Sequence, residues 1–216
     1  MKSATKITIA STTLSIVGCL LIFIVHRVYT ELRSTSRSIL LYITAADLMT
    51  AIGYFIGFID RDKEHYRQFC TVQSFVTTFS SMVSFFWTCC LALYLHAIAM
   101  SANAQLGRRI VIVFHFLSWP VPLLISVAAI SAGVLGQSED IDTAGWCWIA
   151  VKCDANTTEG GSCSRTKPVL WMLFAGKFWE IISYVLIMIS YMRIWWHVRK
   201  QRQQVSSPCL ICYTWV

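Results

Sequence analysis

The sequence predicts an all-α protein, a polytopic membrane bundle of five transmembrane helices, and three observations carry that prediction. Of the 216 residues, 56% are hydrophobic and only 13% are charged, about half the charged share of an ordinary soluble domain. The mean hydropathy is +0.59. The apolar residues gather in five runs, each long enough to cross a hydrocarbon core of about 30 Å, which takes roughly 20 helical residues. The isoelectric point near 9.0 could suggest nucleic acid. The basic residues, however, fall in short clusters between the apolar runs, a pattern of membrane topology and not of a nucleic-acid face.

The first run spans about Ile7 to Val28, preceded by only six residues that include Lys2 and Lys6. Its apolar length exceeds that of a secretory leader and no Ala-x-Ala-like site follows, so it reads as an uncleaved anchor. The second run, Ile39 to Ile59, places Asp47 near mid-bilayer, where a carboxylate costs roughly 2.5–3.5 kcal/mol to insert. Such a residue is expected to face the bundle interior and to have a polar partner or water. The same run holds Gly53-Tyr-Phe-Ile-Gly57, a small-residue pair that lets helices approach closely. The third run, Cys70 to about Met100, is rich in Ser and Thr on several sides. Lipid cannot satisfy those hydroxyls, so this helix is expected at the centre, bonded to its neighbours.

The fourth run, Ile110 to Leu135, contains Trp119-Pro120-Val121-Pro122. The missing backbone donors are expected to kink it. The fifth, Val169 to about Trp196, carries Lys177 and Glu180 three residues apart and therefore on one face, where each lowers the cost of burying the other. Two roles stay open for the pair: a ligand contact in an outer cavity, or a structural ion pair. Arg193, Arg199, Lys200 and Arg202 with Trp195 and Trp196 form an aromatic–basic boundary at the end of this run.

Charge gives a weak orientation. With the N-terminus outside, nine basic residues (Arg27, Arg33, Arg37, Arg108, Arg109, Arg193, Arg199, Lys200 and Arg202) lie inside against eight outside, nearly a tie under a rule that counts Lys and Arg. The cysteines speak more clearly. Cys70, Cys147, Cys153 and Cys163 fall in the outer segments, as an oxidising compartment would allow, with three possible pairings. Asn156-Thr157-Thr158 is a glycosylation sequon in the loop 136–168. Both features put that loop outside.

A cysteine at the outer start of the third span and another in a long second outer loop, here Cys70 and Cys147, resemble the signature of G-protein-coupled receptors. The resemblance implies a Cys70–Cys147 disulfide ordering the loop over a ligand site, with Cys153 and Cys163 available for a second bridge. Cys147-Trp148, Tyr94-Leu95-His96 and Trp119-Pro-Val-Pro122 resemble secretin-like and slime-mould cyclic-AMP receptors, whereas Ala45-Ala46-Asp47-Leu48 resembles the rhodopsin-like pattern. No Asp-Arg-Tyr follows the third span, and Leu91 stands where secretin-like receptors have a glutamate. The mixture looks most like the orphan G-protein-coupled receptor 157 group, over residues 5 to 204. It implies a seven-helix receptor architecture, an unknown extracellular ligand, and a heterotrimeric G protein facing His96, Arg108, Arg109, Arg199 and Lys200.

The chain holds five spans where such receptors have seven. Residues 1–204 are read as the transmembrane bundle and 205–216 as a short atypical tail, too short to span. The expectation is therefore an early-ending form that cannot signal alone, at the cell membrane with its N-terminus outside or held in the endoplasmic reticulum, and able to associate with full-length receptor. The rival reading is a five-span transporter or channel subunit with a polar path past Asp47, Lys177 and Glu180; no internal repeat supports it. His-Glu-x-x-His, Gly-x-Ser-x-Gly and Gly-x-x-x-x-Gly-Lys patterns are all lacking, so an enzyme is not expected. His96 and His115 on neighbouring spans lack the second histidine pair of a two-haem cytochrome, and no cofactor is expected.

Overall fold

The computed structural model describes residues 2–29, 34–56, 66–101, 104–136, 147–150 and 166–206. Five helices among them are long and apolar enough to cross a membrane. Helix α1 covers Lys2–Val28, α2 Thr35–Ile56 and α3 Tyr66–Ser101. The fourth span is divided into α4, Ala104–Ser118, and α5, Pro120–Ser131. The fifth consists of α6, Thr166–Met172, a π-helical turn at Leu173–Lys177, and α7, Phe178–Ser206.

Helix α3 is the hub, packing on α2, α4, α5, α7 and both short strands. It packs tightly on α2 at Gly53, where an added Cβ would lie 2.8 Å from Thr77 Cγ2. Gly57, the other member of that small-residue pair, lies outside the described residues. The hydroxyls of α3 behave differently from the expectation that they bond mainly to neighbouring helices. Ser74, Thr77 and Thr88 donate back to carbonyls three or four residues earlier on α3 itself, the usual way a helix satisfies a hydroxyl without a partner. Ser80 and Ser84 reach across, Ser80 to Thr50 at 2.7 Å and Ser84 to Asp47 at 2.7 Å. Both crossings go to α2.

Two apolar clusters divide the bundle along its length. One joins Met82, Ile125, Ala129, Leu135, Ile149 and Ala175 near the strands. The other joins Ile39, Ala46, Val83, Trp87 and Cys90 nearer the opposite end. In the second, His115 meets the rings of Tyr42 and Trp87 edge-on at 4.9 and 4.7 Å. This histidine is a packing element within the bundle.

The helix of the fourth span stops earlier than its apolar run. Gly133, at φ 64°, takes a left-handed conformation that favours glycine, so Gly133 N–H donates to Ile130 O and Val134 N–H to Ala129 O, closing a Schellman motif. Leu135 consequently belongs not to a helix but to β1, Leu135–Gly136, antiparallel to β2, Trp148–Ile149. Hydropathy alone could not separate a buried strand residue from the last turn of an apolar helix. The break expected at Trp119 is present: Pro120 starts α5 at its first position, where its missing N–H leaves no bond unmade.

Candidate functional site

The short ribbon β1–β2 caps one end of the bundle because Cys147, beside β2, is disulfide-bonded to Cys70 in the first turns of α3. Both cysteines are buried. Cys153, Cys163 and Asn156 lie outside the described residues. The bridge brings Trp148 over the space between α2, α3 and the fifth span. Beneath it lies a cavity of about 300 Å³, lined among others by Tyr54, Thr78, Ser81, Met82, Phe85 and Trp148, and by Lys177, Glu180 and Tyr184 from the fifth span.

The fifth span reaches this cavity through an irregular turn. At Leu173–Lys177 the helix widens to a π-turn, a feature that inserts a residue and re-aims the side chains after it. One tertiary and one local contact accompany it. Gly176 lies under Trp148, and an added Cβ would stand 3.0 Å from Trp148 Cζ2. The indole N–H of Trp179 donates to Phe174 O at 2.9 Å, giving that carbonyl a side-chain partner. Lys177, at the end of the turn, donates to Glu180 Oε2 at 2.7 Å, and Tyr184 O–H donates to Glu180 Oε1 at 3.4 Å. The Lys177 side chain is 58% exposed and that of Glu180 25%. The pair lines the cavity and is not sealed in the core.

The third-helix wall supplies a second polar feature. Thr78 is 3% exposed, yet its Oγ1 has no hydrogen-bond partner. Its neighbours Ser74, Thr77 and Ser80 are all bonded. A buried hydroxyl left unmade costs roughly 1–3 kcal/mol, and this one lies in a residue of the cavity wall. With one ion pair, two phenols and an orphan hydroxyl over Met82, Phe85 and Trp148, the cavity has the few-polar, mostly apolar lining of a small-molecule site.

The remaining sequence-stated residues lie elsewhere. Asp47 accepts its bond from Ser84, but it is exposed on the bundle surface and does not line the cavity. The expectation of an interior aspartate is met only on its α3 side, because none of the other described helices covers its other flank. His96 is half-buried at the opposite end, with Nδ1 buried and unpartnered. Arg108 and Arg109 of α4 are exposed, as are Arg199 and Lys200 of α7, with Arg199 stacked 4.9 Å over Trp195. These groups gather toward one end, where Arg199 and Lys200 share a cavity of about 490 Å³ with Trp195 and Trp196. Among the described residues no three His, Cys, Asp or Glu side chains converge as metal ligands.

Sequence reasoning missed Tyr54, Thr78, Tyr184, Trp179 and the π-turn. Tyr184 was findable, since it stands four residues after Glu180 on the same face. Thr78 was not, being one hydroxyl among many on α3.

Residues 1–159 match the family model described as the slime mold cyclic AMP receptor. The chain belongs to that family. Among relatives, it is 33% identical over 207 residues to "G-protein coupled receptor 157" of Mus musculus, covering 95% of this chain and 59% of the mouse protein. The human protein of the same name is 33% identical over 206 residues, 95% of this chain and 58% of its own. "Cyclic AMP receptor-like protein A" of Dictyostelium discoideum is 25% identical over 150 residues, 69% of this chain and 38% of its own. The chain thus spans less than two thirds of the length of these relatives. The receptor resemblance drawn from Cys70, Cys147, Trp148 and the Tyr94-Leu95-His96 triplet agrees with this family membership.

Proposed function

We propose that the chain is part of a G-protein-coupled receptor and that the cavity beneath Trp148 receives a small extracellular ligand. The observation that carries this reading is the cavity walled by Thr78 and the Lys177–Glu180 pair and roofed by a disulfide-tethered ribbon. The names of its relatives support the receptor role. A disulfide at Cys70 supports an outer location for the ribbon end, and hence an N-terminus outside, since α1 and α3 run in the same sense. The loop bearing Cys153, Cys163 and Asn156 then lies outside too, with Asn156 open to glycosylation and the two cysteines to a second bridge.

At the opposite end, His96, Arg108, Arg109, Arg199 and Lys200 face the G protein. Signalling requires a ligand that binds one helix arrangement better than another. The uncovered flank of Asp47, costly at mid-bilayer, supports a bundle completed by further helices. Five helices alone therefore do not pass the signal; further helices, such as those of a full-length receptor, are needed. The test is made in a longer form carrying all seven spans. Lys177→Gln and Thr78→Val are each expected to raise the half-maximal agonist concentration about tenfold or more, with surface expression unchanged. Unaltered agonist potency in both variants sinks the cavity assignment. Agonist-independent second-messenger production by the 216-residue chain sinks the claim that it cannot signal alone.

A further inference from the structure

A second concave surface lies at the end of the bundle away from the disulfide. Ile189, Met192, Arg193, Trp196, His197 and Lys200 recur along α7 at spacings of three and four and so share one helix face. With Met100 near the end of α3 they line a groove of about 490 Å³. The groove is graded along its length. The span begins at Pro168, and roughly 20 residues cross the hydrocarbon. Ile189 and Met192 therefore lie at its far edge, and Arg193 to Lys200 lie at headgroup depth. Trp196, 72% exposed, stands where an indole favours the interface.

The charge of this groove is unopposed. No Asp or Glu occurs from residue 181 to 206 or from 92 to 118. Among the described residues neither Arg193 nor Lys200 has an ion-pair partner. His197 Nε2 lies 3.0 Å from Gln201 Nε2, which steadies the ring between the two cations. Arg199 flanks the groove, stacked on Trp195 and sharing a neighbouring cavity with Trp196 and Lys200.

We infer that this groove is a specific site for an anionic phospholipid, its headgroup phosphate on Arg193 and Lys200 and an acyl chain along Met192, Ile189 and Met100. A cationic mouth at headgroup depth continuing into an apolar floor at hydrocarbon depth complements such an amphiphile. An acidic peptide would match only the mouth. The inference stands on α3 and α7 alone and does not depend on the cavity at the other end.

The test uses the purified full chain in detergent, with native mass spectrometry reading bound lipid after addition of equal amounts of phosphatidylinositol 4-phosphate and phosphatidylcholine. The phosphoinositide is expected to be retained about tenfold more than phosphatidylcholine. R193Q/K200Q should abolish the difference, whereas R108Q/R109Q, which removes the same charge from α4 outside the groove, should leave it within about twofold. All four positions are exposed, and unchanged helicity by circular dichroism verifies folding. Equal retention of the two lipids by the unmodified chain overturns the inference. Equal loss in both double variants also overturns it, reducing the effect to diffuse charge. So does binding of soluble inositol phosphate or of an acidic peptide as strongly as the intact lipid, because the apolar floor would then contribute nothing.

Discussion

The fourth and fifth spans each contain one break in α-helical geometry, and the two breaks have different origins. In the fourth, the interruption at Trp119 is local. Pro120 has no N–H to offer Phe116 and its ring crowds the preceding turn, so the helix ends at Ser118 and restarts at Pro120. In the fifth, Leu173–Lys177 contains no proline, and its π-turn coincides with one contact from a distant part of the chain and one from the following turn. Trp148 lies against Gly176, and Trp179 takes the carbonyl of Phe174. The local break shapes a packed span. The tertiary break carries Lys177 to the cavity wall, so a cavity-lining side chain is set by contacts that can be lost one at a time.

That contrast can be broken most severely at the disulfide. Cys147→Ser releases the ribbon and with it Trp148. Closing a loop of 77 residues is worth at most about 4.5 kcal/mol in chain entropy, and the membrane spans already restrict the reduced chain. Thermal stability in detergent is expected to fall clearly. Hydrogen exchange should accelerate at 173–177 while 116–122 stays protected. Equal acceleration at both breaks would show that they are not independent.

Gly176→Leu should act next most strongly. Its side chain would collide with the Trp148 ring, at a cost of about 1–3 kcal/mol for overpacking. Thermal unfolding and tryptophan fluorescence would report the displaced indole. An unchanged spectrum and melting temperature would mean that Trp148 does not rest on the π-turn.

A smaller effect is expected from Trp179→Phe, which keeps the ring and removes the donor to Phe174 O. The loss of that one bond is worth about 1 kcal/mol. Hydrogen exchange confined to the turn should reveal it, and no change there would detach the indole from the turn's stability. Pro120→Ala should matter least. It restores a backbone donor but removes a ring already fitted to its surroundings, so the net change is expected within about 1 kcal/mol. A destabilisation well beyond that would show that the fourth span also depends on tertiary fit.

Much of the architecture was legible because it rests on periods and composition. The five spans follow from runs of apolar residues, and the Trp119 break from proline chemistry. Less of the site was legible. Lys177 and Glu180 stood out because charges in an apolar span are rare, and their spacing of three placed them together. Asp47 stood out for the same reason, yet sequence could not say which flank would be covered. Thr78 is chemically identical to neighbours that donate to their own helix. Only its surroundings distinguish it.

The sequence by itself determined that five apolar helices cross a membrane, where the fourth breaks, and which residues could carry charge within them, because hydropathy and backbone donors are properties of each residue and its near neighbours. The tertiary structure alone decided that the Cys70–Cys147 bridge lays Trp148 on Gly176, that Lys177 leaves a π-turn toward a cavity, and that the Thr78 hydroxyl is left unpaired there. These depend on which distant surfaces meet, and no local pattern in the chain encodes that.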